Sequence, residues 1–356
     1  MTEELLILGG AGFVGSSLAL GLKEIHPDWK IACFDNLSRR GSELNLPRLK
    51  QAGIDYVHGD IRCVSDLEVD RFSNVRTLID CSAEPSVLAG ITSPRYVLEA
   101  NLLGSMNVIE FARRLSARIL FMSTSRVYSI PALTSLQMEE NSTRFDLCPV
   151  QSTQGASRSG IAEEFPVSGH RSLYGTTKLA SEMLLEEYGN SFGLAAIVNR
   201  CGVLTGPWQM GKVDQGVFVL WVAAHHFGRK LSYIGFDGTG KQVRDLLHIQ
   251  DLLALVDYQL GHFGQFAGQV FNVGGGLQNS LSLLETTRLC QEITRKTIPV
   301  ERISENRPDD IPLYVTDNSK VTRMTGWRPQ LDPAKALQDI HRWICENEEN
   351  VRAVLQ

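Results

Sequence analysis

The sequence has no Cys-x-x-Cys pair, no apolar run longer than the eight residues of Val217 to Ala224, and no excess of basic side chains. Each absence closes a class. Seven cysteines scattered at 33, 63, 81, 148, 201, 290 and 345 fit reduced thiols better than a disulfide frame or a zinc ribbon, and point to the cytoplasm. Eight apolar residues cannot cross a bilayer, which takes roughly 20. Met1-Thr2-Glu3-Glu4 offers no basic n-region for a secretory leader. With 35 Lys and Arg against 40 Asp and Glu the formal charge is −5, so a general nucleic-acid surface is not expected. What remains is a soluble globular chain of 356 residues, 43% hydrophobic, long enough for about two domains.

Short apolar strands alternate with helical stretches through the first half. Leu5 to Leu8, Lys30 to Phe34, Asp55 to His58, Thr77 to Asp80 and Arg118 to Met122 are strand-like, with helical patterns at Val14 to Ile25 and Pro94 to Leu115. Such alternation means right-handed βαβ units on a parallel sheet. The expected fold is α/β: a doubly wound, Rossmann-type parallel sheet over about 1–193, to which strands near 194–200 and 245–275 return. A smaller mixed α/β substrate domain covers most of 201–356. Periodicity is lost between about Gln137 and His170, an insertion of the kind that forms substrate loops. A helix from Leu173 to Phe192 follows, and Ser282-Leu283-Leu284-Glu285 is a capping-box pattern.

Gly9-Gly10-Ala11-Gly12-Phe13-Val14-Gly15 stands between the first strand and the first helix. Glycines at 9, 12 and 15 let backbone approach a pyrophosphate whose charge is met by the helix N-terminus. Asp35, twenty residues past Gly15, ends the second strand. A carboxylate there accepts ribose hydroxyls and repels a 2′-phosphate, which favours NAD; Arg39 and Arg40 act against that preference. Asp60-Ile61, after the third strand, faces either an adenine or its own helix start.

Tyr174 and Lys178, four apart at a helix start, lie on one face. An ammonium stabilises a phenolate against the reference pKa of about 10, which makes the tyrosine a usable base toward a hydroxyl under oxidation. Ser123-Thr124-Ser125 ends the strand before it, where a hydroxyl can meet the same substrate oxygen. Asp245, His248 and Asp251 fit a capped helix start better than a metal site, His225-His226 fits a helix end, and no metal is assigned. Arg244 on its own fits a salt bridge to Asp245 or Asp251.

Together, the glycine motif, Asp35, Asp60, Asn101, Thr124 and Tyr174-x-x-x-Lys178 resemble the extended short-chain dehydrogenase/reductase family of nucleotide-sugar enzymes, along nearly the whole chain. The resemblance implies NAD held by Gly9, Gly12, Phe13, Val14, Gly15, Asp35, Asn36, Ser38, Asp60, Ile61, Ala83, Asn101, Tyr174, Lys178 and Cys201. It implies Tyr174 as base, Lys178 on the nicotinamide ribose and Thr124 on the substrate hydroxyl. It further implies Ser125, Arg126, Arg200, Gln215, Arg244 and Arg307 on a nucleotide-diphosphate sugar, and a homodimer or homotetramer packed through helices near 95–115 and 173–192.

Departures narrow the subgroup. The 4,6-dehydratases of the family carry Asp-Glu directly after the active-site Thr; Ser125-Arg126 stands here, so loss of water lacks its acid and base. The Asn that 4-epimerases and dehydratases place shortly after Arg-Cys is replaced by Gly202-Val203-Leu204. Phe34-Asp35-Asn36-Leu37-Ser38-Arg39-Arg40-Gly41, His58-Gly59-Asp60-Ile61-Arg62, Asp214-Gln215-Gly216, Gly240-Lys241-Gln242-Val243-Arg244-Asp245 and Asn279-Ser280-Leu281-Ser282-Leu283-Leu284-Glu285 are similar to the CDP-paratose 2-epimerases. The resemblance therefore implies epimerisation at C2 of a CDP-linked hexose through a 2-keto sugar. A UDP-hexose 4-epimerase and a non-catalytic dinucleotide sensor are the alternatives.

Overall fold

The computed structural model describes residues 3–67, 72–211 and 215–356; the sequence readings on Met1, Thr2 and Asp214 lie outside them. The chain forms two units, one of 1–127, 172–200 and 252–270, the other of 128–171, 201–251 and 271–356.

The large sheet contains β1 (Glu4–Leu8), β2 (Lys30–Asp35), β3 (Asp55–His58), β4 (Thr77–Asp80), β5 (Arg118–Thr124), β6 (Ala196–Cys201) and β7 (Val270–Val273). Their order is β7-β6-β5-β4-β1-β2-β3, with β3 through β5 paired in parallel. The order reverses between β1 and β4, the point at which doubly wound sheets open a crevice beyond their strand ends. Leu5–Leu8 and all of β4 and β6 are buried, as expected of strands covered on both faces. Helix α1 (Phe13–Ile25) buries Leu18, Ala19 and Leu22 on one stripe. Helix α2 (Gly104–Leu115) buries Val108, Ile109, Phe111 and Ala112 in the same way. Phe34, Phe72 and Phe111 meet edge to face beneath the sheet, at centroid distances of 6.2 and 6.1 Å.

The stretch expected as one helix from Pro94 to Leu115 is broken. Pro94–Val97 is α-helical, Leu98–Leu103 is a π-helical turn, and α2 begins at Gly104. The widened turn buries Asn101, whose side chain bonds to groups outside the helix; π-turns of this kind recur at functional sites.

In the second unit Val243–His248 pairs in parallel with Val203–Thr205 and with Leu313–Tyr314, and antiparallel with Ser280–Ser282. The strand near 245 thus builds this smaller sheet, whereas 252–270 rejoins the first unit and β7 the large sheet. The stretch from 128 to 171, read from the sequence as part of the first domain, also clusters with the second unit. Its physical ties lie there: Tyr128 stacks on Tyr314 and donates to Asn272 at 2.7 Å, and Ile161 N–H donates to Val315 O at 2.8 Å. It contains two short hairpins, Met138–Glu140 with Phe145–Leu147 and Ala156–Ser157 with Gly160–Ile161, too brief to leave a period in the sequence. Among its helices are α4 (Val217–Phe227), α5 (Leu283–Thr294) and α6 (Pro333–Glu346). The expected capping box is formed: Ser282 Oγ accepts from Glu285 N and Glu285 accepts from Ser282 N.

Candidate active site

The turn after β1 has the shape its glycines require. Gly9 adopts φ +70°, and a Cβ there would sit 2.9 Å from the Cys81 carbonyl carbon and Ser82 N. A Cβ at Gly15 would fall 2.2 Å from Gly9 O. The bare loop lets a large anion come against the start of α1, whose N-cap, Gly12, supplies no side-chain acceptor for the first N–H groups. Asn45, which the motif did not single out, holds the loop from behind by donating to Ala11 O at 2.8 Å.

Asp35 ends β2 beside this loop, accepting from Ala11 N at 3.1 Å and Leu37 N at 2.8 Å. Burial pushes its carboxyl above the ordinary carboxylate range, against the lowering pull of those N–H groups and of Gly12 N. Asn36 donates to Asp60 at 3.0 Å, so two of the expected cofactor residues meet. Asp60 is gripped by Arg62, Nη2 to Oδ2 at 2.6 Å and Nε to Oδ1 at 3.0 Å, and this holds its carboxyl down at about 2. Asp60 is therefore a charged clamp on the end of β3. Ser38 is exposed, with its N–H on Asn36 Oδ1, Ala83 is exposed after β4, and Ile61 packs under Gly104.

Beyond β5, Tyr174 and Lys178 stand on helix α3 (Leu173–Phe192). Ser172 caps it by accepting from Gly175 N at 3.2 Å. A Cβ at Gly175 would lie 2.0 Å from Arg126 O, so glycine is what lets this helix start lie against the strand end that carries Thr124. Tyr174 and Lys178 are both buried on α3. The Lys178 ammonium lies 4.3 Å over the Phe121 ring and donates to Ser82 O at 3.3 Å, which fixes a long side chain through a cation–π contact and a carbonyl. Thr177 Oγ1 donates to Tyr174 O at 2.8 Å and accepts from Asn101 Nδ2 at 3.2 Å. Asn101 also accepts from Glu84 N and donates to Glu84 O, tying the loop after β4 to α3. Thr124 is buried at the end of β5, with Arg126 N donating to its hydroxyl oxygen at 3.2 Å. Ser125 and Arg126 are half-buried in the short turn that follows.

Arg200, expected on the substrate, is buried at the end of β6. Its guanidinium forks onto Glu182, Nη2 to Oε2 at 2.7 Å and Nε to Oε2 at 3.0 Å, and Ser123 Oγ donates to the same carboxylate. Glu182 is the member that sequence reasoning missed, although it continues the Tyr174, Lys178 spacing by four more residues.

In the second unit Cys201 is buried at the end of β6 and Gln215 is half-buried just before α4. Arg244 donates to Asp310 Oδ1 at 3.0 Å and Ile311 O at 2.8 Å. This places its ion pair on Asp310. Asp245, fully buried, accepts from Gly276 N and Thr316 N, and Asp251 accepts from Gln330 N and Leu331 N. Arg307 is half-buried in the same segment as Asp310.

Residues 5–274 match the model of a family described as NAD dependent epimerase/dehydratase. Among curated proteins, the CDP-paratose 2-epimerase of Salmonella typhi is 31% identical over 96% of this chain and 98% of its own length. Among solved structures, a dTDP-glucose 4,6-dehydratase of Streptomyces venezuelae with NAD bound superposes with a TM-score of 0.79 at 25% identity, covering 97% of this chain and 98% of that one. A UDP-glucose 4-epimerase of Thermus thermophilus in complex with NAD has a TM-score of 0.75 at 24% identity, over 96% of this chain and 98% of that one.

Proposed function

The chain belongs to the NAD dependent epimerase/dehydratase family, and we propose that it inverts C2 of a CDP-linked hexose. The observation that carries this reading is the set of groups around α3: a buried Tyr174 and Lys178, a strand-end Thr124, and Ser125-Arg126 where elimination would need an acid and a base. The 31% identity to a CDP-paratose 2-epimerase supports C2 and the CDP group.

NAD, when bound, supplies the hydride acceptor and returns the hydride; the loop of Gly9 to Gly15 and the Asp35 carboxylate fit its pyrophosphate and ribose. The chain's own residues handle the proton. Tyr174 takes it from the C2 hydroxyl, and Thr124 holds that oxygen by hydrogen bond. Lys178, kept in place by Ser82 O and Phe121, favours the phenolate and presents its ammonium to the cofactor ribose. The 2-keto sugar turns its other face, and Tyr174 gives the proton back as the carbinol re-forms with inverted stereochemistry. Net redox is zero. Arg244 and Arg307 pair with the diphosphate oxygens, a task suited to guanidinium forks, with Gln215, Ser125 and Arg126 on the sugar. Arg200 acts through Glu182 and Ser123, positioning β5 and α3.

Exposed Leu98, Leu103 and Met106 before and on α2, and Met183 and Phe192 on α3, support a homodimer or homotetramer packed through these helices. No helix among the described residues is long and apolar enough to cross a membrane, and the free cysteines favour the cytoplasm.

The test is proton NMR of CDP- and UDP-hexoses, deoxygenated ones included, after incubation with the purified protein. Inversion at C2 of a CDP-sugar is expected. Inversion at C4 of a UDP-sugar would replace this reading with that of a 4-epimerase.

A further inference from the structure

The second unit brings together three side chains that no step above uses. His226 ends α4, and His341 and Cys345 stand one helical turn apart near the end of α6. The His226 Nδ1 to His341 Nε2 distance is 3.3 Å, and Cys345 Sγ lies 3.6 Å from His341 Nε2 and 3.9 Å from His226 Nδ1. The three ligand atoms all fall within 4.8 Å of one another. A tetrahedral zinc with bonds of about 2.0–2.1 Å to nitrogen and about 2.3 Å to sulfur separates two nitrogens by about 3.3 Å and nitrogen from sulfur by about 3.6 Å. Two of the three observed edges match, and the third is only slightly long.

The surroundings fit a metal as well as the edges do. The far nitrogen of His226, Nε2, lies 3.2 Å from Glu348 Oε2. A carboxylate on the outer nitrogen fixes the proton there and aims the lone pair of Nδ1 inward, as carboxylates do behind metal-bound histidines. Without an ion, the inward nitrogens of His226 and His341 face each other, and one must carry a proton for them to bond. The opposing charge is also plain: Lys296 donates to the His226 carbonyl and places an ammonium nearby.

We infer that His226, His341 and Cys345 form a binding site for a borderline-soft divalent cation, zinc foremost, that ties the end of α4 to α6. Two imidazoles and a thiolate suit Zn2+ over Mg2+ or Ca2+, and the fourth position is left to water or an outside donor. Binding removes the proton of the Cys345 thiol, so each ion bound releases one proton.

The test is titration of the metal-stripped, NAD-retaining protein with Co2+ and then Zn2+, followed by visible absorption and thermal unfolding. The expected result is one equivalent of Co2+ with the intense ligand-field bands of a tetrahedral site and a thiolate charge-transfer band, displaced by Zn2+, with a higher melting temperature. Cys345→Ser, an exposed and structurally mild change, should abolish the charge-transfer band and weaken binding at least 100-fold. His341→Ala should do the same, and Cys63→Ser should change neither. Only the weak spectrum of aqueous octahedral Co2+, or a tetrahedral spectrum that survives Cys345→Ser, would overturn the site.

Discussion

The two units hold their functional side chains in different ways. In the first, Tyr174, Lys178, Asn101, Glu182 and Arg200 are all buried, and Lys178, Asn101 and Glu182 bond to groups distant in sequence, namely Ser82, Thr177 and Ser123. In the second, Arg244 and Arg307 are only half-buried, and Arg244 donates to the Asp310 carboxylate and to the carbonyls of Val243 and Ile311. In the proposed function, proton transfer and cofactor orientation tolerate little displacement, which suits buried, interlocked groups. The diphosphate recognition proposed for the second unit suits long forks that adjust. The contrast predicts that changes in the first unit strike turnover or folding, and changes in the second strike substrate affinity.

The largest effect should come from Tyr174→Phe. Turnover should fall by about 10²–10⁴-fold while the fold and bound NAD are kept, since only the proton acceptor is gone. Single-turnover assays with cofactor absorbance would check it, and near-normal turnover would break the comparison at its root. Gly15→Ala follows. Its Cβ would collide with Gly9 O at 2.2 Å, so the protein should purify folded but stripped of NAD. Next is Glu182→Ala, which leaves the Arg200 guanidinium buried without its carboxylate; denaturant unfolding should show a loss of about 3–5 kcal/mol.

Arg244→Lys sharpens the other side. It keeps the charge but loses the fork, and should raise KM roughly 10-fold with little change in kcat. The smallest effect belongs to Asp60→Asn. Asp60 is held low by Arg62, so its pairing stabilises the folded state fully above its ordinary value of 3.8 and is lost as pH falls toward about 2. The difference in melting temperature between wild type and variant should therefore be constant near neutrality and shrink across that acidic window.

The cofactor side was readable because its demands are local. The glycines at 9, 12 and 15, Asp35, and the Tyr174–Lys178 spacing each follow from one turn or one helix. What escaped depends on the tertiary fold. Arg62 is two residues from Asp60, yet nothing local says that it points back. Asp310 reaches Arg244 across 66 positions, and Asn45 reaches Ala11 across 34. Glu182 could have been found from the i, i+4, i+8 run on α3, but its partner Arg200 comes from the next strand. The stretch from about Gln137 to His170 showed only its lack of period; the attachment of 128–171 to the second unit rests on Tyr128, Ile161 and their partners. His226 and His341 are 115 positions apart, and only the helical spacing of His341 and Cys345 was open to view.

In the proposed mechanism one tyrosine moves the proton while hydride leaves and returns to the same carbon through the bound cofactor. Running the epimerisation in deuterated water and following the product by proton NMR tests it directly. Inversion with no solvent deuterium at the inverted carbon is expected. Deuterium incorporated at that carbon would mean exchange of a carbon-bound proton with solvent, and would contradict it.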